Sequence, residues 1–340
     1  MLLAADVGGT KTLLGLFTRA PERPLTVEVG EFITLDYDGL TPMIGEFLKA
    51  RGVEARRIEA ATFGVAGAVT EQVARLTNVP WLVDAAHIGE AAALRRVHLL
   101  NDLEAMAYSV PVLEPDELAT LQQGIAQPGG NAAVIAAGTG LGEALLHNID
   151  GRFVPGASEG GHADWGARTP REIEMLAALT RVYGRASVEH VVSGPGLVNI
   201  YQFTHDAFGS HTYLFPSALV PAHTCAGVGR VDDPADLPAA ISRSALEKRC
   251  PHCVEALAMF VAAFGAEAGN LALRTVATAG VYIGGGIAPK ILAVLEDGAF
   301  LDAFRSKEPL SDFVATIPVA VILNAEAGLL GAAVHANSAA

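Results

Sequence analysis

The chain has 340 residues, 51% of them hydrophobic and 18% charged, with 37 acidic against 23 basic side chains and a net charge of -14. That length exceeds what one core usually supports and predicts two domains, while the apolar fraction excludes a disordered chain. The negative charge repels phosphate backbones and anionic bilayers, so neither nucleic acid nor a membrane is an expected partner.

An apolar strand over Leu2–Val7, the turn Gly8-Gly9-Thr10 and a second strand over Thr12–Phe17 predict a hairpin. No Lys or Arg precedes Lys11, so the basic region of a secretory signal is lacking and a cytoplasmic location is expected. Helices over 41–50 and 88–96 alternate with strands over 58–65 and 97–100, the last delivering Asn101-Asp102. Such alternation predicts an α/β class. A second round starts near Asn131: a strand over 132–137, the turn Gly138-Thr139-Gly140-Leu141-Gly142, and a strand over 143–149. Beyond Pro170 the pattern is mainly helical, over 170–183 and 244–277. A strand over 280–283 leads into Gly284-Gly285-Gly286, and a strand over 317–323 and a helix over 325–335 follow. The stretch 205–238, rich in Pro, His and Gly, reads as a surface excursion. The longest apolar run, around 256–266, is too short to cross a bilayer.

Glycine turns that each follow a strand let backbone N–H groups approach an anion, although a hairpin without ligand explains either one alone. No Gly-Lys dipeptide and no Gly-x-Gly-x-x-Gly triple occurs, which excludes a Walker A loop and argues against a dinucleotide fingerprint. Phosphates on an acidic protein call for a metal, and Asp6 at a strand end suits Mg²⁺, directly or through water. Asp102 reads either as a helix N-cap or as a general base at the carboxyl end of a strand. Glu159 and His162 in Glu159-Gly-Gly-His162 suit either a metal ion or the hydroxyls of a polar small molecule, and the short spacing favours neither. Glu189 precedes a further glycine turn, Ser193-Gly194-Pro195-Gly196, and alone reads as a surface residue with His190 incidental. Three cysteines form no disulfide framework. Cys250-Pro-His-Cys253 is half a zinc pattern without a second Cys pair, and Pro251 at a helix start explains it more simply.

Taken in order, these motifs resemble the bacterial glucokinase family, within the superfamily of sugar kinases, heat-shock ATPases and actin. Asp6-Val-Gly8-Gly9-Thr10 is similar to its first phosphate motif, Gly138-Thr139-Gly140-Leu-Gly142 to the second and Gly284-Gly285-Gly286-Ile-Ala-Pro to the adenosine turn. Leu76-Thr-Asn-x-x-Trp81, Leu100-Asn-Asp-Leu-Glu-Ala105, Glu159-Gly-Gly-His162, Ser193-Gly-Pro-Gly-Leu-Val and Ala325-Glu-Ala-Gly-Leu-Leu-Gly331 follow in that family's order.

The resemblance implies a two-domain actin-like ATPase (ribonuclease H-like) fold with an interdomain active-site cleft, residues 1–110 plus 305–340 forming the smaller domain and 111–304 the larger. It implies ATP-dependent phosphorylation of glucose at the 6-hydroxyl, with Asp102 as general base and Asn101, Glu159, His162 and Glu189 on the sugar hydroxyls. ATP would lie along Asp6, Gly8, Gly9, Thr10, Lys11, Gly138, Thr139, Gly140, Gly284 and Gly285, with Mg²⁺ at Asp6, and the chain would form a homodimer. The alternatives are a kinase of another hexose or amino sugar, and a sugar-responsive regulator on the same fold. Lys11-Thr12 departs from the Asn-Ala usual in this family and resembles the wider group of repressors and kinases. That group's zinc cysteines are absent from 163–172, so no structural zinc is expected.

Overall fold

The computed structural model describes residues 1–76, 79–206 and 224–340. Thr77 and Asn78 of the Leu76–Trp81 motif, and residues 207–223 within the 205–238 stretch, lie outside them. The chain forms two compact units, one of Met1–Leu118, Ala144–Ser158 and Ile322–Ala340, the other of Ala119–Glu143 and Glu159–Val321.

The first part of the chain runs β1 (Leu2–Val7), β2 (Lys11–Thr18), β3 (Leu25–Ile33), α1 (Leu40–Ala50) and β4 (Ala60–Val65). Three short strands follow, β5 (Val69–Thr70), β6 (Val73–Arg75) and β7 (Leu82–Asp84), then α2 (Ala85–Ala91), β8 (Val97–Asn101) and α3 (Asp102–Ser109). Its main sheet orders β3-β2-β1-β4-β8. The expected hairpin is present, with β2 antiparallel to β1, while β1, β4 and β8 run parallel. Side chains alternate across β1. Leu3, Ala5 and Val7 pack in one cluster with Met43, Ile44 and Phe47 of α1, and Leu2 and Ala4 enter another with Ala105 of α3. The predicted helix 88–96 is shorter and earlier, because Asp84 caps α2 by accepting from Ala86 N–H at 2.8 Å.

Next come β9 (Leu118–Gln122), β10 (Ala132–Ala137), β11 (Leu141–Ile149), β12 (Arg152–Ser158), α4 (Pro170–Tyr183) and α5 (Gly194–Thr204). They are followed by α6 (Leu237–Leu246), α7 (Pro251–Thr275), β13 (Gly280–Gly284), α8 (Leu292–Glu296), α9 (Ala299–Arg305), α10 (Ser311–Ala315), β14 (Val319–Ile322) and α11 (Ala327–Ala339). The second large sheet orders β12-β11-β10-β13-β14-β9, with β10, β13 and β14 parallel. In the first unit Leu329, Ala332, Ala333 and Ala336 of α11 complete the cluster around Leu2 and Ala4. Thr169 and Glu172 start α4 with a reciprocal capping box, and Gly184 ends it in the left-handed region at φ 76°.

The predicted helix 244–277 is two helices. Lys248 at φ 54° turns the chain after α6, and Pro251, which has no N–H to donate, sits at the start of α7. The membrane argument from a short apolar run also changes, since α7 has 25 residues and is long and apolar enough to cross a bilayer. Its apolarity is accounted for by burial of 72% of its most apolar window in protein. Phe260 and Phe264 are fully buried, and Gly265 and Gly269 admit the α9 backbone, where an added Cβ would lie 2.1 Å from Phe300 O and 2.4 Å from Phe304 O.

Candidate active site

In the first unit the carboxyl ends of three parallel strands stand together, with Val7 paired to Val65 and Val65 to Asn101. Open α/β sheets hold their ligands at such ends. The β1–β2 turn closes there, Gly8 N–H donating to Lys11 O at 3.1 Å. A Cβ at Gly8 would come within 2.9 Å of that oxygen, so glycine is required for the close approach. Thr34 Oγ1 donates to Gly8 O at 2.9 Å and meets Thr12 Oγ1 at 3.0 Å, which fixes the turn from a residue distant in sequence. Thr10 and Lys11 are exposed, and Lys11 Nζ donates to Glu31 at 3.0 Å.

Asp6 is the penultimate residue of β1, and burial raises its carboxyl pKa to about 6 against the opposing charge of Lys11. Gly328 at the start of α11 comes so close that an added Cβ would lie 2.7 Å from Asp6 Oδ2. A desolvated carboxylate is a hard oxygen donor whose ionised form a cation stabilises, so Asp6 fits Mg²⁺.

At the β8–α3 junction the cap is Asn101, not Asp102. Asn101 Oδ1 accepts from Leu103 N–H at 2.9 Å and Glu104 N–H at 3.3 Å, while Nδ2 donates to Gly67 O at 3.3 Å. Asp102 is the first helical residue, half-buried, with Oδ1 accepting from Leu103 N–H at 2.9 Å.

The second unit brings its expected residues into two adjoining groups. β10 and β13 end side by side, Ala136 opposite Gly284, so the Gly138 and Gly284 turns leave the same edge. Gly285 has φ 85°, and a Cβ there would lie 2.3 Å from Ala137 O. Gly138 N–H donates to Gly140 O, and Gly194 N–H to Gly138 O, both at 2.8 Å.

Glu189 links this turn to the Glu159–His162 loop. Its Oε2 accepts from Leu141 N–H at 2.8 Å, and its N–H donates to Gly161 O at 2.9 Å. A Cβ at Gly140 would reach 2.5 Å from Glu189 Oε2, and one at Gly161 would reach 2.1 Å from Leu141 O. His162 lies between two carboxylates, Nε2 at 3.8 Å from Glu159 and Nδ1 at 4.0 Å from Glu189. Glu159 and His162 are exposed, whereas Glu189 is half-buried. Two carboxylates that accept and an imidazole that both donates and accepts suit a polyhydroxylated ligand. His190 is engaged elsewhere, for it stacks on Tyr183 at 4.3 Å, its Nδ1 accepts from Ser187 N–H at 3.1 Å, and burial lowers its pKa. Asp164 pairs with Arg185 at 2.9 Å, and Arg185 also donates to His162 O at 2.8 Å, a support for the loop that no local pattern signals.

A sequence-family model described as Glucokinase matches residues 3–339. The chain belongs to the glucokinase family. A glucokinase of Synechocystis sp. is 37% identical over 345 residues, covering 98% of this chain and 97% of that one, and a glucokinase of Nostoc sp. is 38% identical over 339 residues, covering 99% and 98%. Among solved structures, a glucokinase from an Antarctic psychrotroph superposes with a TM-score of 0.82 at 27% identity, covering 99% of this chain and 98% of that one. A ROK family glucokinase from Streptomyces griseus, in complex with glucose and AMPPNP, does so at 0.65 and 20% identity, covering 99% of both. The fold is therefore the two-domain α/β fold of the actin-like ATPases expected from the sequence, and the chain is an enzyme of the glucokinase family.

Proposed function

We propose that the chain transfers the γ-phosphoryl group of ATP to the 6-hydroxyl of glucose, with Asp102 as general base. The observation that carries this reading is the division of labour at β8–α3. Asn101 takes the cap, so the cap does not account for the carboxylate of Asp102, the residue that follows this strand. A sugar hydroxyl is a poor nucleophile at neutral pH, and a carboxylate that accepts its proton as the new bond forms contributes about 10²–10⁴-fold. The remainder of phosphoryl transfer is positioning and charge stabilisation. Glu159, His162 and Glu189 supply acceptors and a donor for sugar hydroxyls, with Asn101 as a fourth contact. Backbone amides at Gly8–Lys11, Gly138–Gly140 and Gly284–Gly285 suit phosphates and adenosine. Mg²⁺ at Asp6 would neutralise phosphate charge. A relative solved in complex with glucose and AMPPNP supports the substrate pair, and a homodimer and a cytoplasmic location belong to the same reading.

The test is Asp102→Asn. Turnover should fall by about two orders of magnitude or more, with glucose affinity near wild type, because the amide keeps the shape and loses the base. Near-normal kcat in a coupled assay would remove Asp102 from the mechanism, and an equal rate without sugar would remove glucose.

A further inference from the structure

We propose that His205, Cys225, Cys250 and Cys253 form a structural zinc site of the Cys₃His type in the second unit. The four donor atoms all lie within 4.8 Å of one another. Cys225 Sγ is 3.8 Å from Cys253 Sγ, and Cys250 Sγ is 3.4 Å from His205 Nε2. With Zn–S near 2.3 Å and Zn–N near 2.0–2.1 Å, a tetrahedral ion places two sulfurs about 3.8 Å apart and a sulfur and a nitrogen about 3.5 Å apart. Both spacings therefore match edges of a tetrahedron around one ion.

The surroundings orient the donors for such an ion. His205 Nδ1 lies 2.8 Å from Tyr201 O, and a carbonyl only accepts, so Nδ1 carries the proton and Nε2 offers its lone pair toward Cys250. A backbone carbonyl on the far nitrogen is the usual orienting partner of a zinc histidine. Cys250 is the N-cap of α7 and Cys253 lies in its first turn, so one helix start carries both sulfurs. Cys225 N–H donates to Tyr201 Oη at 2.8 Å. Gly227 brings the Cys225 turn against Cys250 and Ser244, where an added Cβ would lie 2.8 Å from each. Four protein donors leave no open position, so the ion would tie the end of α5, the Cys225 turn and the start of α7 together, a structural and not a catalytic role. This inference stands apart from the phosphoryl-transfer reading.

The full chain, purified without a metal-binding tag after growth with added zinc, should contain about one zinc ion per chain by elemental analysis. Its thiols should resist a thiol reagent until a strong chelator is added. Cys250→Ser and His205→Ala should each lose the metal. Should those variants fail to fold, wild-type protein stripped of zinc and refilled with cobalt should show the visible bands of a tetrahedral cobalt thiolate. Less than about a tenth of a zinc ion per chain with three free thiols overturns the proposal, as does a Cys225–Cys253 disulfide in the mass spectrum. Full zinc content in both variants also overturns it.

Discussion

Glu143 shows what a single buried carboxyl does to this protein. It follows the Gly138–Gly142 turn and lies 1% exposed beside α7, with Oε1 lacking a hydrogen-bond partner among the described residues. Arg274 favours its neighbour, standing 2.7 Å from Glu267 and 4.0 Å from Glu143. Burial first, and the Glu267 charge second, push the Glu143 pKa up to about 7. An unfolded glutamate titrates near 4.3, so the folded chain holds a proton that the unfolded chain has released between these values. Stability from this group is complete below about pH 4.3 and is lost as pH rises through about 7. Glu143→Gln should therefore stabilise the protein by about 1–3 kcal/mol at pH 8 and by little at pH 5, read by urea denaturation at each pH. An equal gain at both values would exclude titration as the cause. None of this is legible in the sequence, because Glu143, Glu267 and Arg274 meet only through the fold. The same limit hid the cysteine cluster, whose His205 and Cys225 stand far from Cys250–Cys253 in sequence. Glu159 and His162, by contrast, were legible as a pair because they lie three residues apart, one on either side of two glycines.

Among the elements, the pairing of α3 with α11 sets where Asp102 stands. Gly331 of α11 lies against α3 so closely that an added Cβ would overlap Ala105 O, and one at Gly64 of β4 would lie 2.8 Å from Ala105 Cβ. The helix that begins with Asp102 is thus seated between a strand and a helix that both offer glycine. This gives the closing Ala325–Gly331 motif a physical reason beyond its resemblance to the family. Gly331→Ala should cost about 1–3 kcal/mol as α11 is pushed off α3, and should lower kcat several-fold by shifting the start of α3. Urea denaturation and steady-state kinetics together test this, and wild-type values in both would show that the helices part without consequence. The β1–β2 hairpin was legible because its turn and alternation are local. The strand order β13-β14-β9 was not, since it joins segments far apart in the chain. The break between α6 and α7 was legible at Pro251 but was outweighed by the apolar pattern on both sides.

At the scale of the whole molecule, the return of residues 144–158 to the first unit has no sequence signal, because nothing local marks which core a strand will join. The net charge of -14 is legible without any fold, and it acts differently on the two proposed substrates. Glucose is neutral, whereas ATP is an anion that must approach an acidic surface. Lys11, a cation at the first glycine turn, is itself engaged by Glu31 at 3.0 Å. Raising the ionic strength from about 0.01 M to about 0.15 M shortens the screening length from roughly 30 Å to roughly 8 Å, which weakens long-range repulsion while leaving contacts intact. The KM for ATP at saturating Mg²⁺ should therefore fall by about two- to fivefold over that range, with the KM for glucose unchanged. A rise in the ATP value with salt would mean that the local field of the amide turns and Lys11 outweighs the charge of the whole surface. A parallel change in both constants would point to a conformational effect of salt and not to electrostatic access.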